Sequence, residues 1–459
     1  MVFSCSLLSF PTVLDRALEG PICASKDWDL KFVSKATASK VKEYNIKYDP
    51  ENPIPSDNSL ADDVYRAGFE LALELGILCT DTQRIIKVDE TELKAVVKEG
   101  VKQCNYGSGQ EEVLYYKRNP EDKRELLRCI GPYNTLSEEL FIPVHQLFMQ
   151  CRYTQSVSCG LSDTVYGRDI RAGTPWEVLA SIFYARALRE AARRANRPGL
   201  PLWGTMQDAT GIGHLSCWTP DGFNIFDHCV IPMPCELRTS NETLSKVAQA
   251  VEHGWKIYAY THPSIGGFAG GPEGASVLGV AAGLLEAAVH RGTIIEVVPW
   301  DSWNLCDVSR MSLWGLSVFQ QAFSRNTNFM IGSDVDPNAG TFTKEVLYET
   351  ANATICNTVS GATTTQGVRT AAGRYKDCTS PLEGYLMGEV SVAVTGMKRT
   401  DANELIKKIL PKYETTLKNP PVDKKFQDCY DVKKLVPTKA WMDMYQEVRR
   451  DLMDIGVPL

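Results

Sequence analysis

The sequence predicts an α/β fold, a TIM (β/α)8 barrel with an N-terminal helical extension and C-terminal helices. Three observations carry this expectation. From about residue 155, short apolar segments alternate with helical runs at spacings of roughly 25–45 residues, the rhythm of repeated βα units. The run 175–195 repeats Trp176, Leu179, Phe183, Ala187 and Ala191 at helical spacing and is stopped by Pro198 and Gly199. Leu200-Pro-Leu-Trp203 is then too short and apolar for anything but a buried strand, and Gly204 turns the chain at its C-terminal end. In barrels and doubly wound sheets of parallel strands, that end is where ligands sit.

Taken in order, residues 1–60 mix short apolar patches with Lys, Asp and Pro, and Asp49-Pro-Glu-Asn-Pro-Ile-Pro-Ser56 reads as a linker. Residues 56–78 predict a helix with Val64, Phe69, Leu71, Leu73 and Leu75 as its apolar positions. The strand candidates that follow are 157–161, 200–203, 229–234, 256–261, 294–300, 328–335, 355–359 and 369–375. Helical candidates between them include 273–289, 310–323 and 342–352. Beyond residue 380 the chain reads as helical over 382–394, 402–413 and 438–452. The expected organisation is an extension over 1–150 packed on a barrel core at 151–380, followed by helices over 381–459, all in one structural unit.

Composition narrows the function. A hydrophobic share of 44% supplies an ample core. A net charge of −7 with a pI near 5.6 argues against nucleic acid as the main partner and does nothing against a cationic substrate. Fourteen scattered cysteines suit reduced thiols in a cytoplasmic protein better than a disulfide scaffold. Residues 1–20 lack a basic start and a long apolar core, so no signal peptide is expected. No run of about 18 uncharged apolar residues occurs, so no membrane span is expected.

Several residues are candidates for chemistry. Gly266-Gly-Phe-Ala-Gly-Gly-Pro-Glu-Gly274 can hold an anion on backbone N–H groups or admit a bulky ligand, but no Lys-Ser/Thr follows as a phosphate loop requires. Glu273 in this loop is either an active-site carboxylate or a first-turn charge favoured by the helix dipole. In Gly332-Ser-Asp-Val-Asp-Pro337 the alternating Asp334 and Asp336 point to one face, giving either two pocket carboxylates or an Asp-rich turn. His262, before Pro263 at a strand end, reads equally as a pocket residue or an ordinary loop histidine, and Asp301 and Trp303, just past the strand 294–300, are also at barrel-mouth height. His145, beside Phe141-Ile-Pro-Val144, reads as a buried structural histidine. His214, Cys217, His228, Cys229 and Cys235 have the composition of a zinc site but not its paired spacing, and His228 and Cys229 should face opposite ways on a strand. No metal is expected there. From its own stretch, Trp203 reads as a core tryptophan; the alternative is a side chain projecting into an active site.

Arg197-Pro-Gly-Leu-Pro-Leu-Trp-Gly204, the stretch 67–87 with Cys79-Thr-Asp-Thr-Gln-Arg-Ile-Ile-Lys87, Phe141-Ile-Pro-Val-His145 and Phe426-Gln-Asp-Cys-Tyr-Asp-Val-Lys433 carry a resemblance. They resemble the monomethylamine:corrinoid methyltransferases, from Asp27-Trp-Asp-Leu30 to the C-terminus. The resemblance implies the barrel fold and methyl transfer from a methylated amine to the Co(I) of a cognate corrinoid protein. It also implies that the cofactor is carried by that partner rather than bound by this chain, and that the chain forms a symmetric homo-oligomer. The family places pyrrolysine shortly after Arg-Pro-Gly; the matching position here is Trp203. A glutamate role carries over to Glu273, and Asp334 and Asp336 match a glutamine and a tyrosine that position the pyrrolysine adduct. The expected activity is a pyrrolysine-independent methyltransferase using a methylated, quaternary amine, with Trp203 contacting the cation and Glu273, Asp334 and Asp336 supplying negative charge. Two alternatives stay open: a hydrolase or lyase using carboxylate acid–base chemistry, and a binding protein without turnover.

Overall fold

In the computed structural model the described residues are 7–204, 209–422 and 424–459; the first six residues of the N-terminal stretch read above lie outside them. The expected barrel is present. Trp203–Gly204, His228–Pro232, Ile257–Thr261, Ile294–Val297 and Met330–Gly332 run parallel in one sheet, with Trp203 opposite His228, Tyr258 opposite Val230 and Ile294, and Ile294 opposite Met330. The chain continues through Asp334–Val335, which pairs with Thr364–Gly367, and that strand pairs with Leu127–Ile130. Parallel bridges from Cys129 to Ser156 and from Val157 to Leu202 close the ring. Eight parallel segments therefore form the barrel among the described residues.

Two of the predicted strands are corrected. Residues 355–359 belong to the helix Lys344–Ser360, and residues 369–375 contain the short turn Thr370–Gly373. That helix is buried on nearly every side, so it lacks the polar face that would have marked its period. The true strands are Leu127–Ile130 and Thr364–Gly367. The barrel thus opens within the segment expected to be an extension, ahead of residue 151. The helix Pro175–Arg194 also turns a different face inward: Ala180, Tyr184, Leu188 and Ala191 are buried, while Trp176 and Leu179 are exposed.

Helices form the outer ring, several of them started by side-chain caps. Asp57, Ser240, Ser309 and Thr343 each accept a first-turn backbone N–H. The helix Pro272–Val289 is long and apolar enough to cross a membrane by composition, yet it is a core helix packed between the barrel wall and the helices Asn58–Leu75 and Arg310–Asn326. Gly68 permits the closest approach, since a Cβ there would lie 2.4 Å from Val280 Cβ. The C-terminal helices Pro381–Ala393, Arg399–Ile409 and Lys439–Ile455 pack against Lys344–Ser360. No disulfide joins the described cysteines.

The N-terminal end of the barrel is plugged by an antiparallel hairpin, Gln103–Tyr106 and Val113–Tyr116. Tyr106 stacks on His228 at 3.7 Å between ring centres, and the Tyr115 hydroxyl lies 2.8 Å from the Ser156 hydroxyl. Together with Leu127, Val230, Tyr258, Ile294 and Met330 these rings fill the barrel interior. Filling the base leaves only the C-terminal mouth open to a ligand.

Gly332 leaves no room for a side chain in the barrel interior. A Cβ there would lie 1.8 Å from the Tyr258 hydroxyl. Gly332→Ala should therefore destabilise the protein by about 1–3 kcal/mol, read from denaturant unfolding, because the tyrosine or the strand must shift.

Candidate active site at the barrel mouth

A cavity of about 300 Å3 opens at the C-terminal ends of the strands, lined by Tyr133, Thr135, Leu161, Tyr260, His262, Arg369 and Gly373. Tyr133 follows the first strand with φ of 46°, a left-handed conformation uncommon for a bulky side chain and the kind of strain found at functional sites. Arg369 sits with its guanidinium 5.4 Å from the centre of the Tyr133 ring and donates to Asp336 at 3.0 Å. His262 Nε2 lies 3.0 Å from Asp334 Oδ2. Asp334 and Asp336 thus both reach the mouth, one layer beneath the residues that line the cavity.

Below them lies Glu296, wholly buried. The Tyr258 hydroxyl donates to it, and Gln366 Nε2 donates to both of its oxygens at 3.1 Å. Asp307 closes the group by accepting the Asp336 backbone N–H at 2.9 Å. Arg369 is the single guanidinium paired with any of these carboxylates among the described residues. Burial, reinforced by neighbouring Asp334, holds the Glu296 carboxyl well above the usual range, and burial with Asp336 does the same to Asp307. Burial also lifts Asp336 to about 6 against the pull of Arg369. Acids packed this closely in a confined, partly dry space hold protons that an entering cation can replace.

The remaining candidates are placed elsewhere. Trp203 is fully buried inside the barrel rather than on the cavity wall: its rings lie 4.2 Å from Tyr258, and the edge of Tyr133 meets it at 6.4 Å. Its indole N–H has no partner among the described residues. The expected direct contact with a substrate cation is therefore corrected, because Tyr133 stands on the mouth side. Glu273 is corrected likewise. It begins the helix Pro272–Val289 on the outer face and accepts the Tyr48 backbone N–H at 3.0 Å, so its charge serves the helix start and the N-terminal segment. Asp301 is buried and accepts the N–H groups of Trp303 and Asn304 at 3.0 and 3.1 Å, holding its own turn together.

His228 faces the barrel interior while Cys229 packs outside it, 3.6 Å from His214, so the zinc-like group does not converge. His145 is buried with Nδ1 on the Phe141 carbonyl and Nε2 accepting the Gly160 N–H; burial lowers it to about 4, which suits a neutral structural ring. Glu296, Gln366, Tyr133, Tyr258 and Arg369 escaped the sequence reading. Only Glu296 left a signal, as a lone acid between Ile295 and Val297.

Replacing Trp203 by Ala should cost about 3–5 kcal/mol of stability in denaturant unfolding, as expected for emptying a packed core site. Glu273→Gln should leave ligand binding at the mouth unchanged.

The family model for monomethylamine methyltransferase MtmB matches residues 8–457. Monomethylamine methyltransferase MtmB of Methanosarcina mazei is 30% identical over 449 residues, covering 96% of this chain and 97% of that protein. MtmB1 of Methanosarcina acetivorans matches with the same identity and coverage. The crystal structure of the Methanosarcina barkeri monomethylamine methyltransferase MtmB superposes with a TM-score of 0.95 at 29% identity, covering 100% of this chain and 99% of that one, and the structure of a hydroxylamine MtmB complex does so equally. With its barrel, its acid-floored mouth and a match along almost its entire length, the chain belongs to the monomethylamine methyltransferase MtmB family.

Proposed function

We propose that the protein is a pyrrolysine-independent methyltransferase that moves a methyl group from a quaternary ammonium compound to the Co(I) of a corrinoid carried by a separate partner protein. One observation supports this most strongly: buried carboxylates at the mouth outnumber the cations that face them. Asp334, Asp336 and Glu296 converge beneath a cavity walled by Tyr133 and Tyr260, and Arg369 answers only one of them. A quaternary ammonium enters such a space with favourable Coulomb attraction and with aromatic surface to contact.

Transfer breaks the C–N bond and leaves its electron pair on nitrogen. A quaternary donor therefore departs as a neutral amine and needs no covalent adduct to hold it. In this reading Trp203, at the position matching pyrrolysine, serves as packing. Tyr133, Tyr260, Asp334 and Asp336 orient the cation, with its methyl group directed outward. The cavity of about 300 Å3 suits a small amine. It is too small to enclose a corrinoid, in keeping with a cofactor presented from outside by a partner.

The test is methylation of a Co(I) corrinoid by a panel of methylated amines. Quaternary donors should be active and monomethylamine inactive; activity confined to monomethylamine would overturn the reading. Asp334→Asn and Asp336→Asn should each lower kcat/KM by at least about tenfold, a loss of roughly 1.4 kcal/mol in transition-state stabilisation. Cation affinity should rise as pH increases through about 6, where Asp336 loses its proton and gains the charge that attracts the ligand. A flat profile across that range would contradict the role given to Asp336.

A further inference from the structure

His262, Glu296 and Asp334 end three adjacent stretches of the barrel wall, just beyond Ile257–Thr261, within Ile294–Val297 and at the start of Asp334–Val335. One ligand atom from each lies within 4.8 Å of the others. Glu296 and Asp334 are buried, whereas the His262 side chain is 26% exposed and forms part of the cavity wall. The group therefore has a closed protein side and an open cavity side.

More than shared acidity points to a bound ion. Asp334 Oδ1 is buried and has no hydrogen-bond partner among the described residues, although Oδ2 of the same carboxylate is fixed at His262. Gln366, also buried, holds Glu296 through Nε2 while its Oε1 is left without a partner. Among the described residues no lysine or arginine pairs with Glu296 or Asp334, and Arg369 is engaged by Asp336. Two adjacent buried carboxylates without a fixed counter-charge are costly unless protons or a cation discharge them.

We propose that His262 Nε2, Glu296 and Asp334 form a binding site for a divalent transition-metal ion of the zinc or manganese class. One imidazole nitrogen with two carboxylates is a mixed nitrogen–oxygen set that suits such ions. Three protein ligands with the cavity side free leave room for water or a small ligand, as in open metal sites. Tyr258 and Gln366 orient Glu296 from behind, the arrangement by which outer groups fix a ligand. The site goes beyond the ammonium reading. The ion and a cationic methyl donor are alternative occupants of one negative floor, and metal binding needs no donor to be observed.

The experiment titrates the full-length protein, stripped with a chelator, with Zn2+ and with Mn2+ by calorimetry, and follows Mn2+ by electron paramagnetic resonance. One saturable ion per chain is expected. His262→Ala and Glu296→Gln should each weaken it by at least about tenfold, while the exposed-surface variant His253→Ala should bind as the wild type does. Circular dichroism establishes that the variants are folded. Should Glu296→Gln unfold, His262→Ala, altered only at the cavity wall, decides the matter. Absence of saturable binding, or binding that survives His262→Ala, would overturn the proposal.

Discussion

Glu296 stands in a strand whose other members are Ile294, Ile295 and Val297, inside a barrel packed with aromatic rings. Its carboxylate has no guanidinium or ammonium partner among the described residues; it is held by the hydroxyl of Tyr258 and the amide of Gln366. Much of the interior follows from accommodating that arrangement. Tyr258 reaches Glu296 across Gly332, where a side chain would block it. Trp203 packs against the other side of Tyr258 and fixes its ring. The hairpin carrying Tyr106 and Tyr115 seals the base, so the acids are approached from the mouth.

That layout changes the meaning of the tryptophan at position 203. A side chain at the C-terminal end of a barrel strand is ordinarily expected to face ligand. Here the strand Trp203–Gly204 is short and its first residue still points into packing, beneath Tyr133. The groups at the mouth lie one layer outward, on residues that follow the strands: Tyr133, His262, Asp336 and Arg369. The mouth therefore carries polar and aromatic groups of its own, apart from the residue at position 203.

The barrel was legible in the sequence because most of its strands are short apolar runs between helices of normal length. It failed where burial erased contrast. Lys344–Ser360 is covered nearly all round, so Ile355, Cys356 and Val359 imitate a strand. Thr364–Gly367 is polar because Gln366 serves Glu296 inside the barrel, so it does not read as a core strand at all. Asp334 and Asp336 could be placed on one face from sequence because alternation along a strand is a local property. Glu273 and Asp301 misled because their chemistry is equally suited to a helix start and a turn, and only tertiary placement separates these roles. Glu296 and Arg369 could not be joined to the site from sequence, since long-range pairing alone brings them to it.

If the acids at the mouth select a cation, the protein distinguishes choline from 3,3-dimethylbutan-1-ol, which has the same shape and no charge. Choline should bind at least about tenfold more tightly by calorimetry, a difference of roughly 1.4 kcal/mol. Equal affinities, or preference for the neutral alcohol, would contradict the account.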